Sequence, residues 1–394
     1  MKNIAVVMEL EWPLRRHHDV YAGIQAYADE HHAEDWTLAL DNFPQAVLTG
    51  EMAGPRYDGV IGRLSLDLQE ILVKRQIPAA NAWMASSRGK APSVIPDLAA
   101  SAQMAIDHFA SRGIRRVAHV GYRNDVAVQI EAMAFKAAAR ENGFPCTVHK
   151  CNDGAERDIE RWRAFNRQVT SWLKRWEAPI GVLVHYDEVC RQICVLAERA
   201  GWVVPDQLSL IGSGNNTIIC ESVAPSLSSI HHAYHRNGYE AARLLDIQLN
   251  GGELPKGPVL VMPVEIATRR STDVFAVPDP MVSAALRYMA EHCEGPISVD
   301  LVAAAVNAGR RTLERRFRSI LGRSITHELN RLRIERMKRL LVETDDPVKV
   351  LVGKAGFGSP EQMRLVFRQF TGRRPVEYRE QHRAPNSGAV NEYR

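Results

Sequence analysis

Near residue 275 the chain changes its pattern, and that change limits what it can fold into. Before that point short apolar runs alternate with helix-length stretches. After it every segment has helical spacing and no strand signal remains. The apolar runs at 4–8, 36–40, 59–61, 117–120, 180–184 and 208–211 are rich in Val, Ile and Leu. Helix-length stretches at 98–111, 127–141, 187–200 and 233–249 lie between them. Strands alternating with helices of this length make βαβ units and a parallel sheet. Such a sheet is covered on both faces, so its strands need no polar side.

This α/β pattern runs for about 270 residues, more than one doubly wound domain holds, and predicts two lobes. Ligands of such folds sit beyond the carboxyl ends of the strands. The loops that begin there start at Glu9, Arg63, Asn81, Tyr122, His185 and Ser213. Pro278-Asp279-Pro280 stops any regular element, which places a linker at 273–280. An all-α region follows over 281–382. The small, polar tail 383–394 is expected to be disordered.

No apolar run reaches the ~18 residues of a membrane span. Glu9 and Glu11 interrupt the first one too early for a signal peptide. The expectation is a cytoplasmic protein without membrane partners, its six cysteines reduced. No Cys-x-x-Cys pair exists, and His231 and His235, though spaced i, i+4, have no third ligand nearby. Neither a metal site nor a cofactor is expected.

The net charge of +4 conceals an asymmetry. From Pro278 onward 21 Lys and Arg face 14 Asp and Glu; the rest of the chain carries 29 against 32. A basic C-terminal third on a mildly acidic body points to a polyanion partner for that third. Ser298 is a good N-cap for a helix over 299–306, and Asn307 tolerates the left-handed turn that follows. In the next helix Leu313, Phe317 and Ile320 or Leu321 form the apolar stripe. Arg310, Arg311, Arg315 and Arg318 lie largely off it, with Thr312 and Glu314. An apolar back and an arginine-rich front suit a major groove, where arginine reads guanine bidentately and pairs with phosphate.

Ser324 caps a spacer helix running to about Val342. Asp346-Pro347 then starts a short helix, and Gly356-Phe357 the turn after it. A further helix from Ser359 buries Met363, Phe367 and Phe370. Glu361, Gln362, Arg364 and Arg368 face outward. The string L-x-R-x-F at 313–317, the GF pair at 356–357 and F-x-x-x-x-G-x-x-P-x-x-Y-R at 367–379 resemble AraC/XylS-type DNA-binding domains. The resemblance covers about 280–382. It implies a double helix-turn-helix with recognition helices at 310–318 and 359–368, set in successive major grooves of double-stranded DNA. Gly309 replaces the usual Ser cap, Val352 the usual alanine and Leu365 a frequent arginine; Gly353 lies inside a helix.

V-P-D-Q-L-S-L-I-G-S-G-N at 204–215, S-S-I at 228–230, Gly238 with Ala241-Ala242, and R-R-S-T at 269–272 are similar to LacI-type sensor domains. Those share the two-lobed fold of periplasmic sugar-binding proteins. The implied architecture is a two-lobed, periplasmic-binding-protein-like sensor over 1–272, also serving dimerisation, joined to the helical reader. A sugar site needs amides and carboxylates for hydroxyls and an aromatic plate for the C–H face. Glu11, Trp12, Arg63, Trp83, Asp97, Asp187 and Asn215 lie at strand ends and offer these groups. By resemblance Asp97, Asp187 and Asn215 match positions used by sugar-responsive members. Two positions depart from that pattern. Gly214 stands in place of an aspartate, and Glu131 in place of an arginine four before Phe135. The inverted charge suits another sugar or a ligand bearing positive charge.

The expected protein is a ligand-responsive, homodimeric DNA-binding regulator. By family habit it is an activator of carbohydrate-use genes, with RNA polymerase as a further partner. The alternative is a regulator whose N-terminal region only dimerises. An enzyme is not expected: the chain has no P-loop, no G-x-G-x-x-G after the first strand, no H-E-x-x-H and no G-x-S-x-G.

Overall fold

The computed structural model describes residues 1–11, 15–49, 54, 56–152, 158–273, 279–295, 297–344 and 346–382. Trp12, the centre of the expected linker and the tail 383–394 lie outside the described residues. Among the described residues no helix is long and apolar enough to cross a membrane.

Lobe 1 is built from β1 (Lys2–Val7), α1 (Arg15–His31), β2 (Trp36–Leu40), α2 (Pro44–Thr49), β3 (Gly59–Gly62), α3 (Leu66–Lys74) and β4 (Ala79–Asn81). Its parallel sheet has the order β2-β1-β3-β4. The strands read as unbroken apolar runs because both faces are covered: Ile4 and Val6 face one core, Ala5, Val7 and Val60 the other. β5 (Val94–Pro96) leads out of this lobe.

Lobe 2 comprises α4 (Leu98–Ser111), β6 (Val117–Tyr122), α5 (Val126–Glu141), β7 (Cys146–Cys151), α6 (Ile159–Leu173), β8 (Ile180–Val184), α7 (Asp187–Arg199), β9 (Leu208–Ser213), α8 (Thr217–Glu221) and β10 (Ser228–His231). The chain then returns to lobe 1 through α9 (Tyr234–Leu249) and β11 (Val259–Val261), and re-enters lobe 2 at β12 (Glu265–Ala267). The six-stranded sheet runs β12-β10-β9-β8-β6-β7, with only β12 antiparallel. β11 pairs with β5, so three crossings between the lobes lie side by side.

Helix α9 packs on α1 at backbone contact. A Cβ on Gly23 would meet the His235 carbonyl oxygen at 1.8 Å, and one on Gly238 the Val20 carbonyl oxygen at 1.9 Å. These glycines allow the late helix to complete the first lobe.

Among the described residues seven helices follow: α10 (Pro280–His292), α11 (Val299–Ala305), α12 (Arg310–Leu321), α13 (Ile325–Glu343), α14 (Val348–Lys354), α15 (Pro360–Thr371) and α16 (Pro375–His382). They form two cores joined by α13. Ile325 and Leu329 pack with Leu313 and Phe317 in the first; Ile334, Met337 and Leu341 pack with Met363 and Phe367 in the second. Asn307 holds the turn before α12 at φ +51. The short helix α14 starts one residue later than the sequence indicates: Pro347 is its N-cap, and Asp346 pairs with Lys354 instead. The helical region touches lobe 2 directly. Arg323 donates to the Ser111 carbonyl at 2.6 Å, and the Tyr378 hydroxyl to Glu265 at 2.8 Å.

Candidate functional site

Between the lobes lies a cleft of about 730 Å³. Its walls are the carboxyl ends of the strands. Met8 follows β1, Arg63 follows β3, and Ala82 and Trp83 follow β4. Asn124 and Asp125 follow β6, and His185 and Tyr186 follow β8. That placement follows the rule for open α/β sheets, since only there do loops from neighbouring strands diverge and leave a crevice.

Four tyrosine and tryptophan rings, Trp83, Tyr122, Tyr186 and Tyr234, give the cleft apolar area. Arg63 lies 4.5 Å from the Trp83 ring centre and Arg16 4.9 Å. Arg63 is ion-paired with Glu9. Arg16 also lies 5.4 Å from the Tyr186 ring. The Tyr186 hydroxyl donates to Asp125, whose other oxygen caps α5 through the amide of Ala127 at 2.8 Å. Burial pushes the Tyr186 hydroxyl up, and Asp125 pushes it the same way, so it keeps its proton as a donor. His17 is buried edge-on to Trp83 with Nδ1 against the Glu9 carbonyl, and burial lowers its basicity.

Of the residues expected to bind an effector, Arg63 and Trp83 line this cleft. Glu11 is exposed in the turn after β1. Asp97 is the N-cap of α4, accepting from the Ala100 amide at 2.9 Å. Asp187 is 1% exposed and ties three elements together: it accepts from Ser229 Oγ at 2.6 Å and from the Asn216 amide at 2.8 Å. Burial raises its pKa, so the carboxylate depends on those donors. Asn215 accepts from Arg269 at 2.9 Å and faces a different cavity. Gly214 has φ +120, a conformation L side chains rarely adopt, and it packs beside Asp187.

Glu131 does not reach the cleft. It is fully buried in α5, where Oε2 accepts from His119 Nε2 at 2.9 Å and His185 Nδ1 at 2.7 Å. Its charge is met inside lobe 2, which removes the argument for a positively charged ligand. Burial pushes Glu131 up, but His185 and the two hydrogen bonds more than reverse this and hold it well below the carboxylate range. Burial lowers His185, and Glu131 more than reverses that in turn. Among the described residues this trio alone brings three ligand atoms within 4.8 Å, so it is the place that could hold a metal ion. His185 alone of the three also lines the cleft.

The helical region offers a second kind of surface. In α12 Leu313 and Phe317 are buried while Arg310, Arg311, Arg315 and Arg318 are exposed. In α15 Met363, Val366 and Phe367 are buried; Glu361, Gln362, Arg364 and Arg368 are exposed. Val366 replaces Phe370 in the fully buried stripe, Phe370 being only partly covered. Ser359 caps α15, accepting from the Gln362 amide at 3.2 Å. Gly309 caps α12 without a side-chain bond. Arg310 is tied to Asp300 at 3.1 Å and to Glu314 at 3.0 Å. Among the described residues no ion pair or hydrogen bond engages the side chains of Arg311, Arg315, Arg318, Arg364 or Arg368. Thr312 is half-buried beside them.

The sequence reading missed Arg16, Tyr122, Asp125, Tyr186, Tyr234 and Asn237 as cleft residues. Tyr122 and Asp125 were accessible to it, because they close β6 and open α5. Arg16 and Asn237 lie on helices, and only the α1–α9 packing brings them to the cleft.

Comparison with known proteins agrees with this architecture. Residues 106–272 match the family model described as a periplasmic binding protein-like domain, and residues 302–381 a helix-turn-helix domain. The chain is 29% identical over 292 residues to the xylose operon regulatory protein of Escherichia coli, covering 73% of each chain. It is 27% identical over 291 residues to that of Haemophilus influenzae, covering 73% of this chain and 74% of the relative. A solved structure of the xylose-binding transcription activator xylR superposes with a TM-score of 0.60 over 97% of this chain and 98% of that one, at 24% identity. The complex of the transcriptional regulator CelR with cellobiose gives a TM-score of 0.54 at 19% identity, over 68% of this chain and 84% of that one. The last two likenesses concern the fold. The chain thus carries a periplasmic binding protein-like domain followed by a helix-turn-helix domain, and over about three quarters of its length it is similar to xylose operon regulatory proteins.

Proposed function

We propose that this protein is a sugar-responsive transcription regulator that grips double-stranded DNA through α12 and α15. One observation carries the reading. The same chain holds a cleft of about 730 Å³ at its strand ends and two helices whose arginines stand exposed. The sensor is taken as 1–272 and the reader as 281–382, joined by the linker 273–280. Arg310, Arg311, Thr312, Glu314, Arg315 and Arg318 are assigned to one groove. Ser359, Glu361, Gln362, Arg364 and Arg368 are assigned to the next. The relatives' names make xylose the first effector to test, although Gly214 offers no hydroxyl-binding carboxylate. The protein works in the cytoplasm as a homodimer, catalyses no reaction, and as an activator contacts RNA polymerase.

Effector binding closes the lobes, and closure repositions the two readers of the dimer. The energy available is the effector's differential affinity for open and closed states, about 1–3 kcal/mol. The alternative, lobes that only dimerise, draws on Gly214; the open cleft with its polar and aromatic walls favours sensing. The test is anisotropy of labelled promoter DNA against the full chain, over a salt series and a panel of pentoses and hexoses. Affinity falls steeply with salt, by a slope of about −0.9 per phosphate contact, and one sugar shifts it. Salt-independent binding, or none, would end the DNA reading; sugar-independent binding would leave only the dimerising alternative.

A further inference from the structure

The contact between lobe 2 and the helical region encloses a second cavity, of about 790 Å³. No residue lines both this cavity and the cleft. Lobe 2 contributes Arg112, Arg270 and Asp273, and α13 contributes Arg331 and Glu335.

The charges at this junction do not balance by contact. Arg112 is 4% exposed. Its Nε donates to the Thr272 carbonyl at 2.7 Å, and Nη1 to Ser111 Oγ at 3.2 Å and the His108 carbonyl at 3.4 Å. All three acceptors are neutral. Among the described residues no carboxylate comes within ion-pairing distance of it. Beside it Arg323 and Arg331 share Glu328, each at 2.6 Å. Of the three guanidiniums, Arg323 and Arg331 contact this one carboxylate and Arg112 contacts none among the described residues. Glu328 acts on Arg112 only from a distance, as do Asp273 and Glu335, which itself reaches Lys338 at 3.2 Å. Arg270, exposed at the same cavity, makes no ion pair among the described residues either. Burial, with Arg331 nearby, pushes the Arg112 guanidinium down to about 9. A buried cation is costly unless a counter-ion meets it. Nη2 of Arg112 and Nη1 of Arg331 make no hydrogen bond among the described residues, and charged guanidinium donors bond phosphate oxygens strongly.

We propose that this junction cavity is a binding site for a small phosphate-bearing anion, which bridges Arg112 of lobe 2 to Arg331 of α13. Such an anion ties the sensor to the DNA-reading region and is independent of what occupies the cleft. The full chain is tested by thermal denaturation and calorimetry with inorganic phosphate and, separately, with a sugar monophosphate. Either ligand raises the melting midpoint in the millimolar range or below. Arg112→Met abolishes the rise and is no less stable than the parent in phosphate-free buffer, because it removes an uncompensated charge. Arg112→Lys keeps the charge without the Nη2 donor, folds, and binds about tenfold more weakly, a 1.4 kcal/mol difference. Tighter binding of the sugar phosphate by a similar factor identifies a phosphorylated metabolite as the ligand; equal binding identifies inorganic phosphate. The proposal is overturned if neither ligand moves the midpoint, or if both move the parent, Arg112→Met and Arg112→Lys alike.

Discussion

A carboxylate buried between two imidazoles is stable only over a bounded range of pH, and Glu131 sets both bounds. Its own pKa is held below the ordinary 4.5. That part of the stabilisation is present above the ordinary range and is lost as pH falls through the folded value. His185 is raised above its ordinary 6.5. That part is complete below 6.5 and is lost as pH rises through the folded value. Stability therefore peaks between the two. Glu131→Gln is expected to cost about 3 kcal/mol near neutrality, the low end for breaking a buried pair, and to flatten the decline on the alkaline side. Urea denaturation across pH reads both; an unchanged alkaline slope would show that His185 is not the titrating partner. At the cleft itself Trp83→Ala removes the shelf against which Arg16 and Arg63 lie. Effector affinity falls about tenfold, or 1.4 kcal/mol, while DNA affinity without effector stays put. Calorimetry on both ligands checks this. The sequence flagged Glu131 as anomalous but not its remedy, since His119 and His185 lie 12 and 54 residues away.

At the scale of elements, two arginines of α12 that look alike in sequence are expected to behave differently. Arg315 is exposed with no ion pair among the described residues, whereas Arg310 must leave Asp300 and Glu314 before it can meet DNA. Arg315→Ala is expected to cost about 1–3 kcal/mol in specific binding and relax preference at one base. Arg310→Ala costs less than half as much, because the lost contact is offset by ion pairs no longer broken. Competition binding against a set of single-base operator variants separates the two. In α14, Gly353 has open space where a Cβ would go. Gly353→Ala should stabilise the chain by about 1 kcal/mol, read by denaturation. Element identity was largely legible: the stretches read as helices at 98–111 and 127–141 are α4 and α5 to within a residue, because helical spacing persists over several turns. The short strands β4, β5, β11 and β12, of three residues each, carry no such period. Nor does local sequence show that α9 returns to lobe 1; that follows from two glycines 215 residues apart meeting across α1 and α9.

At the scale of the whole molecule the question is how a change in the cleft is felt at α12 and α15. Two hydrogen bonds among the described residues tie the helical region to lobe 2: Arg323 on the Ser111 carbonyl, and the Tyr378 hydroxyl on Glu265. In the proposed mechanism lobe 1 moves against lobe 2 as an effector closes the cleft, so a helical region fixed to lobe 2 travels with that lobe as one body. Tyr378 also packs edge-on against Phe367 of α15, 5.5 Å between ring centres. The contact on Glu265 therefore leads straight into the core of the second reading unit. Coupling between effector and DNA is a single free energy, so DNA must tighten or loosen effector binding by the same factor that effector changes DNA binding. Tyr378→Phe keeps the ring against Phe367 and removes the hydroxyl. Binding of either ligand alone should stay within about twofold, or ~0.4 kcal/mol, since the variant alters neither site. The coupling factor should fall toward one in both directions of the cycle. If the factor survives unchanged, the signal does not pass through this contact, and a dimer interface between sensor lobes becomes the route that must carry it.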